Sequence, residues 1–123
     1  MNKSFKDLEI YKISLQLFFL SHGLTKKLPK YEQFELGSQI RRSSESVVSN
    51  IVEGYGRRSY KQEFIRFLVF SHASNMETIS HLEKLNSLYP DLKETISMLL
   101  IEYDRLGIKI YNFKSYVQKS WKS

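Results

Sequence analysis

The stretch that decides the fold is residues 91–119, DLKETISMLLIEYDRLGIKIYNFKSYVQK. Leu92, Ile96, Leu99, Tyr103, Leu106, Ile110, Phe113 and Val117 recur in it at spacings of three and four. That period places one apolar stripe along an α-helix, and no strand could use it. Asp91 follows Pro90 and precedes Glu94 by three residues, a pattern that opens a helix, here running to about Lys119.

The same punctuation recurs on the N-terminal side of this stretch. Ser59 with Gln62 predicts the start of a helix ending near Ser87. Before it, Leu36, Ile40, Val47, Ile51 and Tyr55 form a stripe on a helix from Tyr31 to Glu53, with Gly54 and Gly56 as C-terminal breakers. Ser4 and Asp7 predict a first helix from about Lys6, stopped by Pro29 near Lys27. Strand-type alternation is not sustained anywhere. The expectation is an all-α chain: one domain over residues 1–123, an antiparallel up-down-up-down four-helix bundle.

Composition agrees. With 41% apolar and 26% charged residues, and only five Gly and two Pro, the chain is neither disordered nor a many-turned β-sandwich. It has no cysteine, which excludes disulfides, zinc–thiolate sites, iron–sulfur clusters and a cysteine nucleophile, and suits a reducing cytoplasm. The N-terminus lacks the apolar core of a signal peptide. The most apolar stretch, Leu15–Leu20, is far short of the ~20 residues that span a bilayer, so no membrane partner is expected.

Apolar surface exceeds what one small bundle hides. In helix 1, Ile10, Ile13, Leu17, Leu20 and Leu24 share one face, while Leu8, Tyr11, Leu15, Phe18 and Phe19 lie nearly opposite. Helix 3 has Phe64, Phe67, Leu68, Leu82 and Leu85 on one side, with Ile65, Val69, Phe70 and Met76 around the rest; helix 4 adds Ile101, Ile108 and Tyr111 off its stripe. Surplus of this kind marks a protein interface and predicts a homo-oligomer.

Catalysis has little support. His22, His72 and His81 are the only histidines, and none pairs with another at i, i+4. Glu77 and His81 are i, i+4 neighbours, a spacing used more often for a hydrogen bond than for acid–base work. There is no HExxH, GxSxG, P-loop or GxGxxG, and Gly54-Tyr55-Gly56 lacks the strand and Lys-Ser/Thr of a phosphate cradle. No enzyme activity, cofactor or metal is expected.

Charge is more informative. The formal net charge is +6, from 19 Lys and Arg against 13 Asp and Glu. Residues 1–61 carry 11 basic and 6 acidic side chains, residues 62–104 carry 3 and 7, and residues 105–123 carry 5 and none. Two cationic zones flanking an acidic one point to an anionic partner. The candidates for phosphate contact are Arg41, Arg42, Arg57, Arg58, Lys61 and Arg66 around the helix 2–3 turn. A second set, Arg105, Lys109 and Lys119, lies opposite the helix 4 stripe, with Tyr116 beside it for stacking on a base. Asn50 and Glu53, just before Gly54, are expected to tie down the amides of the glycine turn. Arg41 and Glu45 have the spacing of an i, i+4 ion pair, and the serines at positions 43, 44, 46 and 49 let a neighbouring helix approach closely.

These segments carry a resemblance. Phe5-Lys6-Asp7-Leu8, Pro29-Lys30-Tyr31-Glu32, Leu36-Gly37-Ser38-Gln39-Ile40-Arg41-Arg42, Asn50-Ile51-Val52-Glu53-Gly54 with Arg57, and Phe64-Ile65-Arg66-Phe67-Leu68 follow one another in order. Over about residues 5–85 the chain resembles the four-helix-bundle family that includes proteins encoded within intervening sequences of bacterial 23S rRNA genes. That family also includes the accessory variability protein of diversity-generating retroelements. Ser43 and Ser44 stand where Ala is usual, and Ser74-Asn75-Met76-Glu77 replaces a more typical Gly-Ser-x-x-Glu. The resemblance implies a barrel-like homopentamer. In the retroelement branch it also implies RNA or DNA binding through basic patches, beside a reverse transcriptase. Five copies of +6 amount to about +30 on one particle. The alternative is an interaction scaffold that docks a partner such as a reverse transcriptase without touching nucleic acid.

Overall fold

The computed structural model describes residues 4–122. Among them are four long helices and no strand: α1 (Glu9–Thr25), α3 (Leu36–Gly56), α4 (Lys61–Leu88) and α5 (Lys93–Ser120), with a short α2 (Lys30–Phe34) between α1 and α3. No helix among the described residues is long and apolar enough to cross a membrane.

The predicted α5 stripe is the core. Ile96, Leu99, Tyr103, Leu106, Ile110 and Val117 are all buried, and Leu92 and Phe113 pack at its edges. They meet Ile40, Val47, Ile51 and Tyr55 of α3, and Phe64, Leu68, Leu82 and Leu85 of α4.

Helix α1 contributes a different stripe from the expected one. Its buried positions are Ile10, Ser14, Leu17, Ser21, Leu24 and Thr25, whereas Leu20 is exposed and Ile13 only half-buried. Two serines occupy core positions because their small side chains leave room and their hydroxyls find partners. Ser14 Oγ donates to the Tyr11 carbonyl at 3.0 Å, and Ser21 Oγ lies 2.7 Å from the Tyr103 hydroxyl.

Three helix starts differ from the expectation. Ser4 Oγ does accept an N–H, but from Lys6 at 3.1 Å, and it caps only a 3₁₀ turn over Phe5–Asp7. Leu8 then turns extended and is buried in the core, so α1 begins at Glu9. Ser59 does not cap α4: the N-cap is Tyr60, which makes no side-chain cap bond. After Pro90 a second 3₁₀ turn, Pro90–Leu92, takes up the predicted first turn, and α5 begins at Lys93.

The expected single helix from Tyr31 to Glu53 is broken at Glu35, whose backbone (φ −98°, ψ −100°) is not helical. A break frees an N–H and a carbonyl, and both find side chains here. The Glu32 carboxylate accepts the Leu36 N–H at 3.2 Å, and Arg41 Nη2 donates to the Gln33 carbonyl at 2.9 Å.

Gly54 is not a breaker, and Gly56 is the last residue of α3 without taking a left-handed backbone. α3 continues through Gly54 to Gly56, and no glycine has positive φ. Gly54 is buried where α3 crosses α4, and a Cβ there would stand 3.1 Å from Phe67 Cβ. Close approach rather than turn geometry explains this glycine. Two of the four α3 serines expected to allow close approach do so along the same crossing: Thr78 Oγ1 donates to Ser43 Oγ at 2.8 Å and the Ser46 and Ser74 hydroxyls lie 2.9 Å apart, with Ser71 Oγ of α4 donating to the Val47 carbonyl at 2.8 Å; Ser44 donates back to the Ile40 carbonyl and Ser49 is exposed.

The surplus apolar side chains divide: Leu8 is buried in the core and Tyr11 and Ile65 pack against it, while others are on the outside. Phe19, Leu20, Val69, Phe70, Met76, Ile101, Ile108 and Tyr111 are all exposed.

Candidate nucleic-acid interface

Nine cations were candidates for phosphate contact, and their surroundings divide them. Arg41 is a structural residue. Its Nη1 donates to Thr25 Oγ1 at 3.0 Å and its Nη2 to the Gln33 carbonyl, so it joins α1, α2 and α3. Gly37 leaves room for it: a Cβ at that position would stand 3.2 Å from Arg41 Nη1. With the guanidinium so engaged, the predicted Arg41–Glu45 ion pair does not form among the described residues. Arg42 is its exposed neighbour on α3.

At the far end of α3, Arg57 is held by two carboxylates, Glu53 Oε2 at 3.0 Å and Glu63 Oε1 at 3.4 Å, and lies over the Phe67 ring. Arg66 pairs with Glu63 at 3.6 Å and covers Phe70. Arg58 lies 4.2 Å from the Tyr55 ring centroid and donates to the Tyr55 carbonyl. On α5, Arg105 pairs with Glu102 at 3.0 Å, and Lys109 reaches Glu9 on α1 at 3.2 Å. Surface pairs like these are worth about 0–1 kcal/mol, so they lower local potential more than they hold the fold. Arg42, Lys61 and Lys119 make no ion pair with a described residue.

The two predicted sets do not survive as drawn. Arg41 and Arg42 sit fifteen or more residues up α3 from Arg57, about 20 Å along the helix, so they are not part of the α3–α4 turn. Lys119, by contrast, belongs with that turn. Trp121 Nε1 donates to the Arg58 carbonyl at 3.1 Å, and its ring meets Phe64 edge-on at 5.1 Å. The end of α5 is thereby fastened against the start of α4. Arg58, Lys61 and Lys119 are brought to one end of the molecule, with Lys122 next to Trp121 in the chain.

Asn50, Glu53 and Gly54 have other roles than the turn assigned to them. Asn50 Nδ2 donates to the Ser46 carbonyl at 2.8 Å and to Ser46 Oγ at 3.0 Å, one turn back in α3. Glu53 serves Arg57, and Gly54 serves the α3–α4 contact. There is no glycine turn to tie, because the helix runs through it.

Residue-by-residue reading missed Tyr60, Trp121 and Lys122. Tyr60 is 72% exposed between Arg58 and Lys61. Tyr116, the ring singled out for stacking, is half exposed and shares its surroundings with Phe113 (6.0 Å) and Trp121 (6.4 Å). The available signal for Trp121 was its being the single tryptophan, placed after a long helix; nothing in the spacing gave its partner.

Two tyrosines titrate abnormally. Burial pushes the Tyr103 hydroxyl up to about 12, against the opposing hydrogen bonds of Ser21 and Ser44. The Tyr89 hydroxyl is raised by its hydrogen bond with Tyr31, by burial and by Glu32, whose carboxylate accepts from it at 2.9 Å. Both are structural groups far from the cationic end. His81 is buried, and its Nε2 lies 3.6 Å from Glu77 Oε2, too long for a hydrogen bond. Among the described residues no group of three or more His, Asp and Glu is placed to hold a metal ion.

A family model described as 23S rRNA-intervening sequence protein matches residues 6–112. No curated protein matches the chain.

Proposed function

The chain belongs to the 23S rRNA-intervening sequence protein family, and from that premise we propose that it is a non-enzymatic accessory protein that binds RNA or DNA through phosphates. The observation that carries the reading is the cationic end built by Trp121, where Arg58, Lys61 and Lys119 come together while Glu53 and Glu63 are taken up by Arg57. Contacts of lysine and arginine with phosphate give affinity without base reading and release condensed counterions.

The finer fold belongs to the same proposal. The pairing of Ser43 with Thr78, Ser46 with Ser74 and Val47 with Ser71 supports an antiparallel course for α3 and α4, the central pair of an up-down-up-down bundle. The exposed Phe19, Leu20, Met76, Ile101 and Ile108 support a homo-oligomer, the family resemblance favours a pentameric ring, and the cysteine-free composition suits the cytoplasm. Repeating the cationic end around a ring raises avidity without new contacts.

The same exposed apolar side chains favour a second reading, a scaffold that docks a protein partner such as a reverse transcriptase. Filter binding of RNA and DNA over a salt series separates the two. Affinity that falls steeply and linearly on logarithmic axes supports the first reading. No retention at low salt sinks it, and a partner that survives nuclease treatment in a pull-down supports the second.

A further inference from the structure

We propose that the Trp121 end is a platform for an unpaired nucleic-acid strand, with Tyr60 as the ring on which a base stacks and Trp121 as the residue that positions the lysines beside it. The proposal rests on the nucleic-acid reading above and narrows it to one strand form and one end of the molecule.

Tyr60 is held by its backbone and free by its side chain. Its N–H donates to the Arg57 carbonyl at 2.8 Å and its carbonyl accepts the Phe64 N–H at 3.0 Å, so the turn is tied on both sides. The ring is 72% exposed and takes no part in the core. A large ring in that position contributes little to folding. Lys61 follows Tyr60 directly and Arg58 stands two residues before it, and the carboxylates at this end, Glu53 and Glu63, are both engaged by Arg57.

Cations alone bind paired and unpaired strands alike. An exposed aromatic ring does not, because every internal base of a duplex already has both faces covered by its neighbours. Only an unpaired base has a free face, and stacking on it is tolerant of sequence. The combination of one fixed, exposed ring with cations on both sides therefore selects a single strand.

Trp121 acts through the lysines. Its indole N–H holds the Arg58 carbonyl, and its ring packs on Phe64, which fixes where Lys119 and the end of α5 lie. It is a positioning residue and touches no base itself.

The test is fluorescence anisotropy with labelled oligouridine and oligothymidine against a duplex of equal length, at low salt. The expected result is tighter binding of the single strands. Tyr60→Ala should weaken it on the order of tenfold while leaving duplex binding unchanged, and Tyr60→Phe should retain it. Trp121→Phe, which keeps a ring but removes the N–H, should reduce the salt slope by about one. Thermal melts of the exposed Tyr60 variants should overlay the parent. Equal binding of duplex and single strand, or no effect of Tyr60→Ala, overturns the inference and leaves the phosphate-binding reading standing. An unchanged slope in Trp121→Phe overturns its positioning role. Absence of binding to any of the three probes overturns both.

Discussion

Gly54 lies so close to Phe67 that a Cβ on the glycine would stand 3.1 Å from the Phe67 Cβ and 3.3 Å from Phe64 Cδ1. That distance sets how near α3 approaches α4. Gly54→Ala should therefore destabilise the protein by about 1–3 kcal/mol through overpacking. Gly23, inside α1 with nothing within 4 Å of its would-be Cβ, should behave oppositely. Gly23→Ala should stabilise by about 0.5–1 kcal/mol, because it lowers the entropy of the unfolded chain. Urea denaturation of the two variants measures both, and the opposite signs are the expectation.

Adjacent arginines on α3 should separate stability from binding. Arg41→Ala removes the donors to Thr25 Oγ1 and the Gln33 carbonyl and should cost about 1–3 kcal/mol. Arg42→Ala, at an exposed position, should stay within about 0.5 kcal/mol. Paired melting curves check this. Equal losses in the two would contradict the role given to Arg41.

Tyr103 makes stability fall at alkaline pH. Its folded pKa, about 12, lies above the ordinary tyrosine value of 10.0, so the folded state holds this proton more tightly than the unfolded one. The contribution is complete below about pH 10 and is lost as pH rises through about 12. Tyr103→Phe should remove the dependence in this window. It should also cost about 1–2 kcal/mol at neutral pH, since Ser21 loses its partner and the Leu17 carbonyl loses a donor. Denaturation midpoints against pH, for both proteins, provide the measurement.

Cations already engaged by carboxylates should matter less for binding. Lys61→Gln and Lys119→Gln together should reduce the slope of log affinity against log salt by about 1–2. Arg105→Gln and Lys109→Gln, which start from pairs with Glu102 and Glu9, should change it by less. Equal slopes for the two double variants would remove the distinction drawn between the sets.

The α5 stripe was legible because a helix exposes the same face every three or four residues, and eight apolar side chains kept that period. α3 was legible from Ile40 to Tyr55 for the same reason. The α1 stripe was not, because Ser14 and Ser21 are polar by type; only the partners supplied by Tyr11 and Tyr103 make them core residues. The helix ends at Ser4, Glu35 and Gly54 differ from the expectation because each depends on packing or a side-chain bond that capping patterns do not encode. Leu8 is drawn into the core, Arg41 satisfies the carbonyl freed at the break, and Phe67 closes on Gly54.

The site divides the same way. Nearest-neighbour spacing was enough to find the cations, since charge belongs to a residue type. Whether a cation is free depends on what lies within about 4 Å of it in space. Arg41 is consumed by the fold and Arg57 by two glutamates, while Trp121 carries Lys119 to the start of α4.

The helical class, the main apolar stripes and the sign of the charge follow from local period and composition alone. Tertiary structure decided which small residues are packing surfaces, where helices begin and break, and which cations remain available. Those outcomes turn on hydrogen bonds and close contacts between residues as far apart as Ser21 and Tyr103, or Arg58 and Trp121, and no local window contains both partners.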